Sequence, residues 1–72
     1  MMASVYKIIE LVGVSKKSWE DAAASAVETT GKNLKDLRIA EVVKMDMQIV
    51  KGKVVGYRTR IAVSFKYKQK ND

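Results

Sequence analysis

The side chains that could do chemistry in this chain are acidic or basic, because its 72 residues contain no histidine and no cysteine. This absence excludes disulfides and the commonest zinc ligands. The eight acids are dispersed, and they form neither the D-x-D-x-D-G run of an EF-hand nor the paired carboxylates expected of a hydrolase. The serines have no partner base at a recognisable spacing, so the sequence predicts a protein that is not an enzyme.

Basic residues dominate the charge, since fourteen Lys and Arg against eight acids give a net charge of +6. Four of them form a row on one face of the last predicted strand: Arg58, Arg60, Lys66 and Lys68. This row is either a solvated surface or a site for an anion or a neighbouring subunit. Nucleic-acid binding is expected to be weak and non-specific, because no exposed aromatic residues alternate with the lysines to stack on bases.

The first element that positions these residues is a strand predicted over Ser4 to Val12, which Gly13 is expected to end. It is apolar on both faces, which indicates that both faces are covered. One face carries Val5, Ile9 and Leu11, and the other carries Tyr6, Ile8 and Val12.

A helix follows, for which Ser15 and Ser18 are both candidate N-caps. Ser18 has Asp21 three residues later, as in a capping box, and Gly31 fits the stop position. Trp19 begins a buried stripe that is rich in alanine, so the helix is expected to lie close against its partner. Trp19 is therefore predicted to pack in the core, and the alternative is a stacking platform for a ring.

Two long strands, Leu37 to Val50 and Lys53 to Lys68, are predicted to form a hairpin. Their odd positions are mostly apolar, and pairing odd with odd requires a three-residue loop, Lys51 to Lys53, or else a bulge. The resulting order is β-α-β-β, an α+β fold with a three-stranded antiparallel sheet.

The chain is predicted to be a single domain, 1–72, with a flexible tail at 68–72. One helix covers only one face of such a sheet, and the other face is predicted to carry Ile8, Val12, Ala40 and Val42. These apolar groups need another subunit, so the sequence predicts an obligate oligomer. No segment resembles a secretion signal or a membrane span, and a cytoplasmic protein is expected.

Three stretches of the sequence together resemble the dodecin family: SVYKIIELVGVSKKSWEDAAASAV, LRIAEVV and GYRTRIAVSFKYK. The resemblance covers Ser4 to Lys68. It implies a three-stranded sheet that wraps around one helix, and twelve copies that form a hollow shell. That shell would be the oligomer that the surplus apolar surface requires.

The family's flavin binders hold stacked isoalloxazine rings between tryptophans, and a glutamine bonds the ring edge. By resemblance, Ile39 stands at the tryptophan position and Arg58 at the glutamine position. Isoleucine has no flat π surface, and arginine only donates hydrogen bonds. The flavin site is therefore predicted to be degraded, with Ile39 lining a dry subunit contact or an altered pocket.

These two replacements resemble a tryptophan-lacking branch of the family, the calcium dodecins. Calcium takes six to eight oxygens, which would have to converge from several subunits. The candidate metal ligands are Glu10, Glu41 and Asp46. The resemblance thus implies a homododecamer that binds or stores a small ligand or ion, with calcium as a candidate ion. The alternatives are a flavin (riboflavin or FMN) storage dodecin with an altered pocket, in which Arg58 meets the phosphate of FMN, and a purely structural assembly.

Overall fold

The computed structural model describes residues 4–32 and 36–66 as one sheet and one helix. The elements are β1 (Tyr6–Ser15), α1 (Trp19–Gly31), β2 (Leu37–Val50) and β3 (Lys53–Lys66). The sheet is antiparallel in the order β1-β3-β2, and α1 packs against one of its faces. The predicted β-α-β-β order is confirmed. The predicted tail, with Tyr67 and Lys68, lies outside the described residues.

The first strand continues through Gly13 to Ser15, so the prediction that Gly13 ends it is wrong. Gly13 is needed instead for the close approach of α1, because a Cβ at this position would overlap the carbonyl oxygen of Ala22. Ala22 is fully buried at this contact. The close packing predicted from the helix's alanines is therefore confirmed.

Of the two candidate N-caps, Ser18 is the residue that caps α1. Its Oγ accepts a hydrogen bond from the backbone N–H of Asp21 at 3.0 Å. Ser15 instead supports the preceding turn, since its hydroxyl donates to the Asp21 carboxylate at 2.6 Å and accepts from the N–H of Lys17 at 2.9 Å. Gly31 is the last helical residue and Lys32 is the C-cap, so Gly31 stands two positions before the place of a stop glycine and its predicted role is wrong.

The β2–β3 hairpin turns on two residues, Lys51 and Gly52, so the predicted three-residue loop is wrong. Both residues have positive φ, 52° and 76°, as in the type I′ turns that suit tight hairpins. The alternative that the sequence left open, a bulge, is confirmed. Ile49 pairs with Val54 and Gln48 with Gly56, which leaves Val55 as the extra residue.

A second bulge in β2 changes which side chains face the helix. Lys44 pairs with Arg60, whereas Val42 pairs with Ile61, so Val43 is an extra residue. Ile61 is fully buried beneath α1, and Val42 shares its face.

The same shift reverses the assignment of two further residues. Ala40 pairs with the buried Val63, and Ile39 pairs with Ser64 on the opposite face. The prediction that Ala40 and Val42 lie away from the helix is therefore wrong, and so is the grouping of Ile39 with the other odd-numbered apolar positions of its strand. The reason is that one extra residue inverts the side-chain alternation of a strand.

The core of a single chain is thin. Among residues 4–32 and 36–66, the fully buried large side chains are Ile61, Val63 and Thr59, whereas many valines, isoleucines and methionines of the strands remain more than 40% exposed. The Cα radius of gyration is 15.2 Å, against about 11 Å for a compact domain of this length. Within the described residues, no helix has the length and apolar character needed to cross a membrane.

Candidate ligand-binding face

The face of the sheet turned away from α1, here called the open face, carries most of the charged side chains named above. In β3 the buried residues Thr59, Ile61 and Val63 point to the helix. The even-numbered residues between and beside them therefore point to the open face. Each forms a row with its partners in β1 and β2: the Arg58 row (Val14, Arg58, Asp46), the Arg60 row (Val12, Arg60, Lys44) and the Ala62 row (Glu10, Ala62, Glu41).

The Ala62 row brings together two of the three metal-ligand candidates. Glu10 of β1 and Glu41 of β2 both pair with Ala62, and both are exposed. Their strands are separated by two interstrand spacings, roughly 9.5 Å. The small Ala62 side chain leaves the space between the two carboxylates open. Within residues 4–32 and 36–66, no three acidic side chains cluster closely enough to hold a metal ion, so further oxygens would come from another copy or from water.

Asp46, the third candidate, lies two rows away and is engaged by Arg58. The guanidinium donates from Nε to Oδ1 and from Nη2 to Oδ2, both at 2.7 Å. These hydrogen bonds hold the pKa of the Asp46 carboxyl below its ordinary value, and the carboxylate raises the pKa of Arg58. The two-point geometry fixes both side chains more firmly than a typical surface ion pair does.

The Arg60 row lies between these two acidic groups and is basic. Arg60 pairs directly with Lys44 of β2, and its Nη1 lies 3.9 Å from Oε1 of Glu10. A shallow pocket of about 100 Å³ opens here, and its lining comes from all three strands: Val12, Lys44, Asp46, Arg58 and Arg60. The sequence predicted Arg58 and Arg60 as basic neighbours but did not name Lys44, whose position beside Arg60 is set by the hairpin and its bulge at Val55.

The two positions implied for flavin, Ile39 and Arg58, share the open face but are not adjacent. Ile39 pairs with Ser64, six residues along β3 from Arg58, which corresponds to roughly 20 Å. Ile39 is 67% exposed. A site that used both positions would be completed by another copy of the chain.

On the helix side, Trp19 borders a larger groove. Its indole Nε1 donates to the backbone carbonyl of Asp46 at 2.9 Å, and its ring meets Tyr57 edge-on with centroids 5.1 Å apart. The groove has a volume of about 510 Å³ and a mostly apolar lining, formed by Trp19, Glu20, Ala23, Val42, Met45 and Thr59. Packing of Trp19 is thus observed, while part of its surface still faces the groove.

Comparison with known proteins places this fold and sequence in one family. The sequence profile named Dodecin matches residues 5–68. A calcium dodecin of Mycobacterium tuberculosis is 43% identical over 63 residues, which cover 88% of this chain and 89% of the relative. The chain belongs to the dodecin family. The resemblance inferred from the sequence motifs is confirmed.

Solved dodecin structures have the same fold. The crystal structure described as the calcium-chelating immunodominant antigen of M. tuberculosis, calcium dodecin with a novel calcium-binding site, has a TM-score of 0.80 at 43% identity. The comparison covers 93% of this chain and 96% of that one. The dodecin of Streptomyces coelicolor has a TM-score of 0.88 at 26% identity, covering 96% of this chain and 99% of that one.

Proposed function

We propose that this dodecin assembles into a homododecamer that binds and stores calcium ions on the open face of its sheet. The Ala62 row carries the proposal, because it presents two exposed carboxylates on either side of one small residue. Carboxylate oxygens are the ligands that calcium prefers. The 43% identity to a calcium dodecin supports the choice of ion.

The proposed site needs more than one chain. Calcium takes six to eight oxygens, and Glu10 and Glu41 supply at most four. In the proposed site, the remaining oxygens come from water and from the same row of a neighbouring subunit. Asp46 is a weaker candidate, because both of its carboxylate oxygens already accept hydrogen bonds from Arg58.

Assembly is supported by the apolar surface of the single chain. Ile8, Val12 and Val14 are each more than half exposed on the open face, and Ile49 and Val50 are equally exposed at the hairpin. Exposed apolar area on this scale is typical of a protein–protein interface. The exposed Ile39 is proposed to line such a contact.

Calcium titration of the assembled protein by calorimetry tests the proposal. Glu10→Gln and Glu41→Gln each remove one charge with little change of shape and should weaken calcium binding roughly tenfold or more. Glu28→Gln is the matched control, since Glu28 is an exposed acid on α1, away from the open face. Equal calcium affinity in all four proteins would contradict the proposed site.

Flavin storage is the second candidate, and the groove beside Trp19 favours it. Its volume of about 510 Å³ lies in the range of small-molecule sites, and its lining is mostly apolar. This groove lies on the helix side of the sheet and does not include Ile39 or Arg58, which are on the open face. Against flavin at the open-face positions, Ile39 has no π surface. Titration of riboflavin fluorescence separates the two candidates: the calcium proposal expects weak binding and little quenching, whereas tight quenched binding would favour flavin.

Three further parts of the proposal concern what the protein does not do and where it acts. We propose that it has no catalytic activity and binds no nucleic acid specifically, since the Arg58 and Arg60 rows contain no aromatic residue on which a base could stack. A cytoplasmic location without a membrane partner stays a prediction, to be checked by fractionation.

A further inference from the structure

We propose that the pocket on the open face formed by Lys44, Arg58 and Arg60 binds one phosphate-type oxyanion, either inorganic phosphate or the phosphoryl group of a small phosphomonoester. This anion site is distinct from the calcium site of the Ala62 row. Neither its existence nor its test depends on calcium binding.

The first observation is a cross-strand pair of like charges. Arg60 and Lys44 stand directly opposite one another in the β2–β3 register. Like charges in this position destabilise a sheet. Among the described residues, no carboxylate lies within 4 Å of the Lys44 ammonium, and Glu10 approaches Arg60 only to 3.9 Å. An anion bound between the two cations would remove their repulsion.

The second observation is the supply of hydrogen-bond donors around the pocket. Arg58 uses Nε and one Nη2 hydrogen on Asp46, which leaves three of its five N–H groups. The 3.9 Å separation between Arg60 and Glu10 is too long for a hydrogen bond, so the donors of Arg60 are available as well. Lys44 adds three donors, and such a set matches the several acceptor oxygens of a phosphoryl group.

The third observation is the size and charge balance of the pocket. A volume of about 100 Å³ holds roughly three waters, which suits a single tetrahedral anion rather than a whole nucleotide. One carboxylate, that of Asp46, also lines the pocket and opposes an anion. Arg58 neutralises it and fixes it by two hydrogen bonds, so the net charge of the four ionised groups is +2.

Calorimetric titration with inorganic phosphate, in calcium-depleted buffer and at constant ionic strength, tests the inference. Phosphate should bind saturably at low salt. Lys44→Gln and Arg60→Gln should each weaken binding by about tenfold or more, the effect of losing a charged hydrogen bond. Lys66→Gln is the matched control, since Lys66 lies six residues beyond Arg60 on the same strand, roughly 20 Å away, and its replacement should change affinity less than twofold.

Asp46→Asn should change the phosphate affinity in the direction opposite to Lys44→Gln and Arg60→Gln. A purely structural role of Asp46 would not produce such a gain in affinity. The substitution removes the opposing charge and releases Arg58, so phosphate binding should become tighter. Light scattering on each variant reports whether the assembly is intact, and Lys44→Arg should keep the affinity if the charge is what matters. Titration with glycerol phosphate distinguishes the two possible sources of the phosphoryl group. Tighter binding of glycerol phosphate than of inorganic phosphate assigns the site to a phosphorylated metabolite, and the reverse order assigns it to the free ion.

Two results would overturn the inference. One is the absence of saturable phosphate binding at millimolar concentration in the intact assembly. The other is binding that Lys44→Gln, Arg60→Gln and Lys66→Gln weaken equally, because that pattern would reflect only the overall positive charge of the protein.

Discussion

Replacing Gly13 by alanine tests the packing that holds the sheet against the helix. The added Cβ would overlap the carbonyl oxygen of Ala22 and would lie 3.2 Å from the Cβ of Ala26. The obstacle is helix backbone, which cannot rotate away as a side chain can, so the helix has to move. Overpacking of this kind costs about 1–3 kcal/mol, and we expect the upper end of that range.

Gly31→Ala is a control with the opposite sign. A Cβ at Gly31 meets only Cδ1 of Leu37, at 3.6 Å, which is an ordinary contact. Alanine is a better helix former than glycine, so this variant should gain up to about 1 kcal/mol.

Urea unfolding at one fixed protein concentration measures both effects, because the apparent stability of an oligomer depends on concentration. With a urea dependence of about 1 kcal/mol per molar for a small chain, Gly13→Ala should lower the midpoint by roughly 2–3 M. Gly31→Ala should raise it slightly. An unchanged midpoint for Gly13→Ala would refute the close approach of α1 to β1.

The remaining predictions concern the helix cap, the ion pair and the flavin position. Ser18→Ala removes the N-cap acceptor and should cost about 1 kcal/mol in the same urea assay, whereas Ser18→Asp should retain most of the stability. The pKa of Asp46 is lowered in the folded chain, so its contribution to stability is present above the unfolded-state pKa and is lost as the pH falls through the folded-state value. An NMR titration should show this lowered pKa in the parent and a return towards the ordinary value in Arg58→Gln. Ile39→Trp combined with Arg58→Gln should restore quenched riboflavin binding, and a double variant that binds no more tightly than the parent would refute the assignment of these positions.

The elements of the fold could be predicted because their signals are local. Ser18, the acids after it and the alanine stripe define the helix by capping and periodicity. The apolar strands on either side of Gly52 define the hairpin. Gly13 was misinterpreted because a glycine that permits close packing and a glycine that ends a strand are the same letter in the sequence.

The arrangement of the open face could be predicted only in part. The odd-with-odd pairing of β2 and β3 indicated a longer loop or a bulge at the hairpin, whereas the bulge at Val43 has no sequence signal. Val43 and Val55 are ordinary strand residues, yet each shifts the register by one. The shift at Val55 places Lys44 beside Arg60 and Asp46 beside Arg58, and the shift at Val43 turns Ile39 away from the helix. Alternation along a single strand cannot reveal a contact that is set by the partner strand.

The most direct test of the central claim is native mass spectrometry of the purified protein, with and without added calcium. We predict a particle of about twelve times the 8.1 kDa chain mass that gains calcium ions on titration, with fewer ions retained by Glu10→Gln and Glu41→Gln. A stable monomer, or a twelve-chain particle that takes up no calcium, would contradict the account.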